Sequence, residues 1–161
     1  MYVQKPIAFT IASTDHGTLI VNKNDYQTTN SGSYGVGCQL FANSSYDVNE
    51  LQFICELLKQ KRKYCGNGVV AIDCGANIGI FTIEWAKLMT EWGSVIAYEP
   101  QERIFYALAG NIAINNVFNA TAKFNAVGSE SRTISIPKLN YKIKSSFGSL
   151  EIEKLPVSED I

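Results

Sequence analysis

The stretch "VVAIDCGANIGIF", residues 69–81, restricts the possible folds more than any other part of the chain. A short run of apolar and β-branched residues ends at Asp73, and Gly75 and Gly79 follow with three residues between them. From Ile78 onward, apolar residues recur at helical spacing. This order predicts a strand buried on both faces, a glycine-containing turn and a helix, as in nucleotide-binding βαβ units.

The same alternation continues downstream. Residues 94–99 predict a second buried strand, 101–115 a helix with one apolar stripe, and 121–128 a third strand. Strand, helix, strand, helix and strand in this order predict an α/β fold, one half of a doubly wound and mostly parallel sheet with right-handed crossovers. After Gly128, "RTISIP" and "SSFGSLEIE" predict short strands of a meander.

The residues before this unit predict fewer elements. Residues 17–23 predict a short strand and residues 24–37 a loop rich in Asn, Thr, Ser and Gly. Residues 48–62 predict a helix that ends at the following glycines, with Asp47 as N-cap and Glu50 completing a capping box.

We therefore expect an N-terminal strand and loop extension over 1–47 and a Rossmann-like cofactor-binding domain over 48–161. Three parallel strands form a narrow sheet with an exposed edge. Either the predicted meander covers that edge, or the domain is incomplete at its C-terminus and the chain is the N-terminal part of a longer protein, and we favour the second interpretation.

Composition narrows the class of partner. The chain has 161 residues, 46% of them hydrophobic, and a formal net charge of -1, which gives no reason to expect nucleic-acid or membrane-surface binding. The basic run 59–64 lies at the end of a predicted helix, where cations complement the helix dipole.

Four cysteines without a C-x-x-C pair and one histidine support no metal site. The N-terminus lacks a continuous apolar segment typical of export signals, so we expect a cytoplasmic protein.

Three polar features are expected at the carboxyl ends of the strands, where open parallel sheets bind ligands. The turn from Asp73 to Gly79 allows close approach of a ligand, and the helix after it presents free N–H groups to an anion. Glu99, at the end of the second strand, is placed to accept hydrogen bonds from ribose hydroxyls. Asn125 and Ala126, in "FNAVG", are expected to end the third strand near the base.

Two ligands fit such a site, a dinucleotide and S-adenosylmethionine. The dinucleotide fingerprint G-x-G-x-x-G needs a glycine where this chain has Asn77, and Asp73 would bring negative charge towards a diphosphate. S-adenosylmethionine offers an ammonium to Asp73 and a carboxylate to the helix N-terminus. A purely structural alternative is that the glycines only form a tight turn and that Glu99 only caps a strand.

The segments "IDCGANIG", "AYEP", "LAGN" and "NAVG" resemble the FkbM family of S-adenosylmethionine-dependent methyltransferases over about residues 46–150. The family more often has an aliphatic residue at Cys74, which we expect to be a buried thiol. It also continues with an Asp-x-Glu-Gly-type strand that nothing in this chain matches. The resemblance implies a class I methyltransferase fold and a cofactor site formed by Asp73, Gly75, Ala76, Asn77, Gly79, Glu99 and Pro100, with Asn125 and Ala126 near the adenine.

The resemblance further implies methyl transfer to oxygen on a small-molecule or saccharide acceptor. An NAD-dependent oxidoreductase and a non-catalytic cofactor-binding fragment remain as alternatives, and the oligomeric state is open. No general base is evident, because the one histidine, His16, is expected either to be satisfied by contacts within the fold or to face solvent. Tyr46 and Glu50 could close over the cofactor, although capping is preferred for Glu50. Residues 145–149 could line an acceptor pocket, although a hairpin turn is preferred, and Tyr34, Phe41 and Tyr46 are expected to pack.

Overall fold

The computed structural model describes residues 6–30 and 32–149. Their strands and helices, in chain order, are β1 (Phe9–Thr14), β2 (Gly17–Asn22), β3 (Gln27–Thr29), β4 (Gly32–Tyr34), α1 (Val36–Asn43), α2 (Val48–Cys65), β5 (Val69–Cys74), α3 (Ile80–Leu88), β6 (Gly93–Tyr98), α4 (Glu102–Ile114) and β7 (Ala120–Lys123).

The centre of the fold is a parallel sheet in the order β5-β6-β7. Val69 of β5 pairs with Gly93 of β6, and Val95 of β6 pairs with Ala120 of β7. The crossovers between these strands are α3 and α4. This βαβαβ unit confirms the predicted α/β, Rossmann-like fold.

An antiparallel hairpin of β1 and β2 packs against α4. The buried Asn111 of α4 fastens it, because its Oδ1 accepts the amide of Ile20 at 2.6 Å and its Nδ2 donates to the Ile20 carbonyl at 3.3 Å. Strand β2 was predicted and β1 was not. Leu19 and Val21 of β2 share one hydrophobic core with Val69 and Val95 of the parallel sheet, so the core draws on residues from both sides of position 47.

The segment predicted as a loop over 24–37 contains the β3–β4 hairpin and the start of α1. Every residue of β3 and β4 is exposed. These strands therefore lack the alternation of apolar and polar residues that would have identified them in the sequence.

The predicted capping box at the start of α2 is wrong. Asp47 has a left-handed backbone, with φ of 40°, and its side chain caps no amide of the helix. The Asp47 carboxylate instead accepts a hydrogen bond from Gln39 Nε2 at 3.3 Å. The other end of the helix is as predicted, because the Gly66 amide donates to the Arg62 carbonyl at 2.7 Å.

Among the described residues, only one face of β5 is covered. Helices α2 and α3 pack on the side that carries Val69 and Ala71, whereas Val70 and Ile72 on the other side are 53% and 57% exposed. The expectation of a strand buried on both faces is therefore wrong within this part of the chain. Cys74 lies on the same open face and is exposed, so the expected buried thiol is also wrong.

The predicted third strand is shorter than expected, and β7 ends at Lys123. Residues 124–140 have irregular backbone, so the predicted strand at "RTISIP" is absent from this described segment. Ser145 forms an isolated parallel bridge with Asp25. The end of the "SSFGSLEIE" prediction, residues 150–153, lies outside the described residues.

Candidate cofactor site

The turn between β5 and α3, residues 75–79, is held in shape by three residues with positive φ. These are Gly75 at 79°, Asn77 at 49° and Gly79 at 91°. A Cβ added to Gly79 would lie 2.6 Å from Leu108 Cδ1 of α4, so this glycine meets both a backbone and a packing requirement. We call residues 75–79 the motif turn.

Tyr98, the last residue of β6, fixes the start of the motif turn. Its carbonyl accepts the amides of Gly75 and Ala76, both at 2.9 Å. Farther along, Asn111 Nδ2 donates to the Ile78 carbonyl at 2.8 Å. The asparagine of the "LAGN" segment therefore acts structurally, by joining α4, β2 and the motif turn.

Glu99 follows β6 directly and is only 3% exposed. Its Oε2 accepts the amide of Asn77 at 2.9 Å, and its Oε1 accepts the amide of Gln101 at 2.8 Å. These two bonds are what the structural alternative requires of Glu99. A carboxylate oxygen has more than one lone-pair site, so the same side chain retains capacity for ligand hydroxyls.

Asp73, near the end of β5, is the second buried carboxylate and is 9% exposed. Its Oδ2 accepts the Thr82 hydroxyl at 2.5 Å. Burial raises the pKa of Asp73, and the hydroxyl and amide of Thr82 partly oppose that rise. Burial likewise raises the pKa of Glu99, and the negative charge of Asp73 adds to it.

No ion pair compensates either carboxylate within residues 6–30 and 32–149. Burying an ionised carboxylate without a cation costs free energy. The carboxyl ends of β5 and β6 therefore hold two buried carboxyl groups that no cation of the described residues neutralises.

A cavity of about 320 Å³ opens beside Asp73, and we call it the main cavity. The motif turn and the start of α3 form one wall, and two segments outside the βαβαβ unit form the others. The lining residues are Tyr34, Gly35, Val36, Gln39, Tyr46, Asp73, Gly75, Ala76, Asn77, Ile78, Ile80, Phe81, Ser146, Gly148 and Ser149. The amides of Ile80 and Phe81, the first two residues of α3, are paired with no atom of the described residues and remain available to an anion.

Pro100, Asn125 and Ala126 line a different space, a second hollow that also measures about 320 Å³. Asn125 and Ala126 do not end a strand, because β7 stops at Lys123, and both are exposed. The structure thus brings Asp73, Gly75, Ala76 and Asn77 together in the main cavity. It places Pro100, Asn125 and Ala126 apart from them. Gly79, the last residue of the motif turn, packs against Leu108 instead of lining the cavity, and Glu99 is buried and lines neither space.

Several side chains that line the main cavity were predicted as site residues only weakly from the sequence, or not at all. Tyr46 lines it as one alternative expected, and its ring meets Phe81 edge to face at 6.4 Å. Burial and neighbouring carboxylates raise the pKa of Tyr46 to about 12, so its hydroxyl stays protonated near neutral pH. Tyr34, expected only to pack, also lines the cavity, as does Gln39, whereas Glu50 does not.

Residues 145–149 also line the main cavity, through Ser146, Gly148 and Ser149. The segment therefore lines a cavity, and Gly148 and Ser149 also lie in a turn; that it forms an acceptor pocket stays a prediction. Phe147 between these residues is buried, and its carbonyl accepts Gln101 Nε2 at 2.9 Å.

His16 is buried away from the main cavity. Its Nε2 accepts the amide of Tyr46 at 3.1 Å, and its Nδ1 lies 3.8 Å from Glu84 Oε1. These contacts give it the structural role that we expected.

Across the described ranges, no cluster of three His, Cys, Asp or Glu side chains is arranged to hold a metal ion. No helix of these ranges has the length and apolarity needed to cross a membrane.

The chain matches no family model. One curated protein, telokin-like protein 20 of Autographa californica nuclear polyhedrosis virus, is 42% identical over 40 residues, which cover 25% of this chain and 22% of that protein. The matched segment thus spans less than a quarter of that relative.

Solved structures with a similar course of the chain include Trm5b from Pyrococcus abyssi, at TM-score 0.47 and 20% identity over 84% of this chain and 32% of that one. A tRNA (uracil-54, C5)-methyltransferase from P. abyssi, in complex with S-adenosyl-L-homocysteine, gives TM-score 0.44 and 20% identity over 82% of this chain and 26% of that one. An S-adenosylmethionine-dependent O-methyltransferase from Thermotoga maritima gives TM-score 0.42 and 16% identity, over 77% of this chain and 51% of that one. These values are too low to assign a cofactor or an acceptor to this chain.

Proposed function

We propose that the chain binds S-adenosylmethionine at the carboxyl ends of β5 and β6 and belongs to an S-adenosylmethionine-dependent methyltransferase. The observation that carries the proposal is the pair of buried carboxylates, Asp73 and Glu99, without a compensating cation among the described residues. S-adenosylmethionine carries two positive groups, a sulfonium and an ammonium. Its binding would offset the cost of burying this negative charge.

The same charge argues against a dinucleotide. A pyrophosphate needs unpaired backbone amides at the glycine turn. The amides of the motif turn are already used, because those of Gly75 and Ala76 bind Tyr98 and that of Asn77 binds Glu99. A diphosphate there would face Asp73 and Glu99 without free donors from the turn.

The proposed pose divides the cofactor between the two spaces. The main cavity takes the methionine part, with its ammonium near Asp73 and its carboxylate at the free amides of Ile80 and Phe81. Glu99 receives the ribose hydroxyls, and the second hollow, beside Pro100 and Asn125, takes the adenine. Two spaces of about 320 Å³, one lined by Asn77, whose amide Glu99 binds, and the other by Pro100, which follows Glu99 in the chain, suit a ligand with two bulky ends joined by a sugar.

Methyl transfer from a sulfonium is an in-line displacement in which the thioether leaves without acid assistance. Holding the acceptor at attack distance supplies much of the acceleration, on the order of 7–11 kcal/mol in favourable cases. By its resemblance to the FkbM family, we propose O-methylation of a small-molecule or saccharide acceptor.

We also propose that the chain divides at residue 47 into an N-terminal extension and a cofactor-binding domain. We further propose a cytoplasmic location, which suits the free cysteines at 38, 55, 65 and 74.

Calorimetric titration tests the proposal. The chain is titrated separately with S-adenosylmethionine, S-adenosylhomocysteine and NAD. We expect saturable heat with the first two and none with NAD. Heat with NAD alone would refute the proposal, and a Glu99→Ala variant that keeps full affinity would remove Glu99 from the ribose site.

A further inference from the structure

Asp25, in the turn after β2, is 3% exposed and binds three backbone amides. Its Oδ1 accepts the amide of Phe147 at 3.1 Å. The amides of Val36 and Gly37, the first two residues of α1, also donate to its carboxylate. Because the N-cap of α1 is Gly35, which has no side chain to cap the helix, Asp25 supplies the cap from another part of the chain.

Main-chain bonds reinforce the same junction. The Asp25 carbonyl accepts the amide of Cys38 at 2.9 Å. The Ser145 amide donates to the Asn24 carbonyl, and the Tyr26 amide donates to the Ser145 carbonyl, each at 3.0 Å. The start of α1 and the segment 145–149 are therefore fastened at one place, and we call this junction the Asp25 clasp.

Both fastened segments line the main cavity, and neither belongs to the βαβαβ unit. The segment 145–149 also comes close to the motif turn, since a Cβ added to Gly148 would lie 2.9 Å from Asn77 Nδ2. The position of these two walls relative to Asp73 and α3 thus depends on the clasp.

We propose that Asp25 is a positioning residue that holds two walls of the main cavity against the motif turn and thereby sets the affinity for the methionine part of the cofactor. This inference rests on the proposed function. It assigns no contact between Asp25 and the cofactor, because Asp25 does not line the cavity.

The carboxylate is needed because its two oxygens serve three N–H donors. An Asp25→Asn variant keeps the shape but has one acceptor oxygen, and its NH₂ group would face an amide donor. At least one wall therefore loses a side-chain hydrogen bond and is held only by the main-chain bonds of the clasp, while the shape of the buried side chain is retained.

The test compares two ligands on the same variant. S-adenosylhomocysteine has the amino acid part, and adenosine lacks it. In Asp25→Asn we expect the calorimetric Kd of S-adenosylhomocysteine to weaken roughly tenfold or more, since preorganisation of the cavity is lost. The Kd of adenosine is expected to stay within about twofold of the wild-type value, because the second hollow does not depend on the clasp.

Asn119→Ala is the matched control for a general loss of stability. Asn119 Nδ2 bonds the carbonyls of Ala86 and Gly93 at the amino end of the sheet, at 2.8 and 3.0 Å. We expect this variant to unfold more easily and to keep both ligand affinities.

An Asp25→Asn protein with unchanged affinity for S-adenosylhomocysteine would overturn the inference, and so would an equal loss for both ligands. If that variant does not fold, Gln101→Met loosens the same segment, because it removes the bond to the Phe147 carbonyl and the bond that Gln101 Oε1 accepts from the Tyr141 hydroxyl. A selective loss for S-adenosylhomocysteine then supports the inference, and its absence overturns it. A wild-type chain that binds neither ligand refutes the proposed function, and the inference with it.

Discussion

At the scale of single residues, Asp73 and Glu99 carry most of the free-energy cost of burying charge at the candidate site. Both carboxyls are buried at the ends of neighbouring strands, and burial raises the pKa of each. A raised pKa means that folding disfavours the ionised form of the carboxyl relative to its protonated form. Removing the charge of Asp73 is therefore expected to raise stability and to weaken the binding of a cationic ligand.

Asp73→Asn is expected to raise the free energy of unfolding of the ligand-free chain at pH 7. It removes a buried charge that stays unfavourable even with the hydroxyl and amide of Thr82 beside it, and the asparagine oxygen still accepts the Thr82 hydroxyl. Because the pKa of Asp73 is raised, this advantage should shrink as the pH falls through that pKa and the wild-type carboxyl becomes protonated. Urea unfolding at pH 7 and at lower pH measures it, with the exposed Asp15→Asn as control. A difference that grows at low pH would contradict the assignment.

Glu99→Gln should act in the other direction on stability. Its two oxygens bind the amides of Asn77 and Gln101, and glutamine has only one acceptor oxygen. One buried amide loses its partner, which costs about 1–3 kcal/mol. The control is Glu102→Gln, an exposed position expected to change stability by less than about 0.5 kcal/mol. Equal effects in denaturant unfolding would mean that Glu99 does not hold the turn.

At the scale of elements, the motif turn joins β5, β6 and α4. Its shape depends on two glycines in different surroundings. Gly79 packs against the buried Leu108, whereas a Cβ on Gly75 would meet nothing within 4 Å. Both glycines have positive φ, but only Gly79 lacks room for a side chain. Comparing alanine variants of the two therefore separates the cost of backbone strain from the cost of a packing clash.

Gly75→Ala is expected to destabilise the chain by about 1–2 kcal/mol, the cost of a left-handed backbone for alanine. Gly79→Ala adds a clash with Leu108 and should cost a further 1–3 kcal/mol or so. Thermal or urea unfolding of both variants checks the order. If Gly79→Ala costs no more than Gly75→Ala, α3 and α4 are not in the contact described.

The local pattern of the βαβαβ unit could be predicted from the sequence, because apolar runs, glycines and helical stripes there lie within a few residues of one another. The walls of the main cavity could not. Asp25 and Phe147 are 122 residues apart, and no short-range pattern links them. Asn125 and Ala126 were placed at a strand end because "TAKFNAVG" reads as one strand, yet pairing with β6 stops at Lys123.

At the scale of the whole molecule, the helices of the described residues cover only one face of β5. Parallel sheets in α/β proteins usually have both faces covered. Here Val70, Ile72 and Cys74 of β5 present an open surface within the described residues. The stability of the chain should therefore depend on the two faces very unequally.

Ile72→Ala is expected to cost less than about 1 kcal/mol of unfolding free energy, because half of this side chain is already exposed. Ile83→Ala, which truncates a fully buried residue of α3, should cost about 2–5 kcal/mol. The same urea measurement compares them. Equal costs would mean that the open face is covered in solution, by another part of the chain or by a second molecule.

The proposed function depends most directly on the selection of a cationic cofactor by buried negative charge. The direct measurement is the Kd of S-adenosylmethionine for the wild type and for Asp73→Asn, by calorimetry at pH 7 on protein shown to be folded. Loss of a charge-assisted hydrogen bond of about 1.5–3 kcal/mol predicts an affinity roughly 10- to 150-fold weaker in the variant. An Asp73→Asn chain that binds S-adenosylmethionine as tightly as the wild type would contradict the claim.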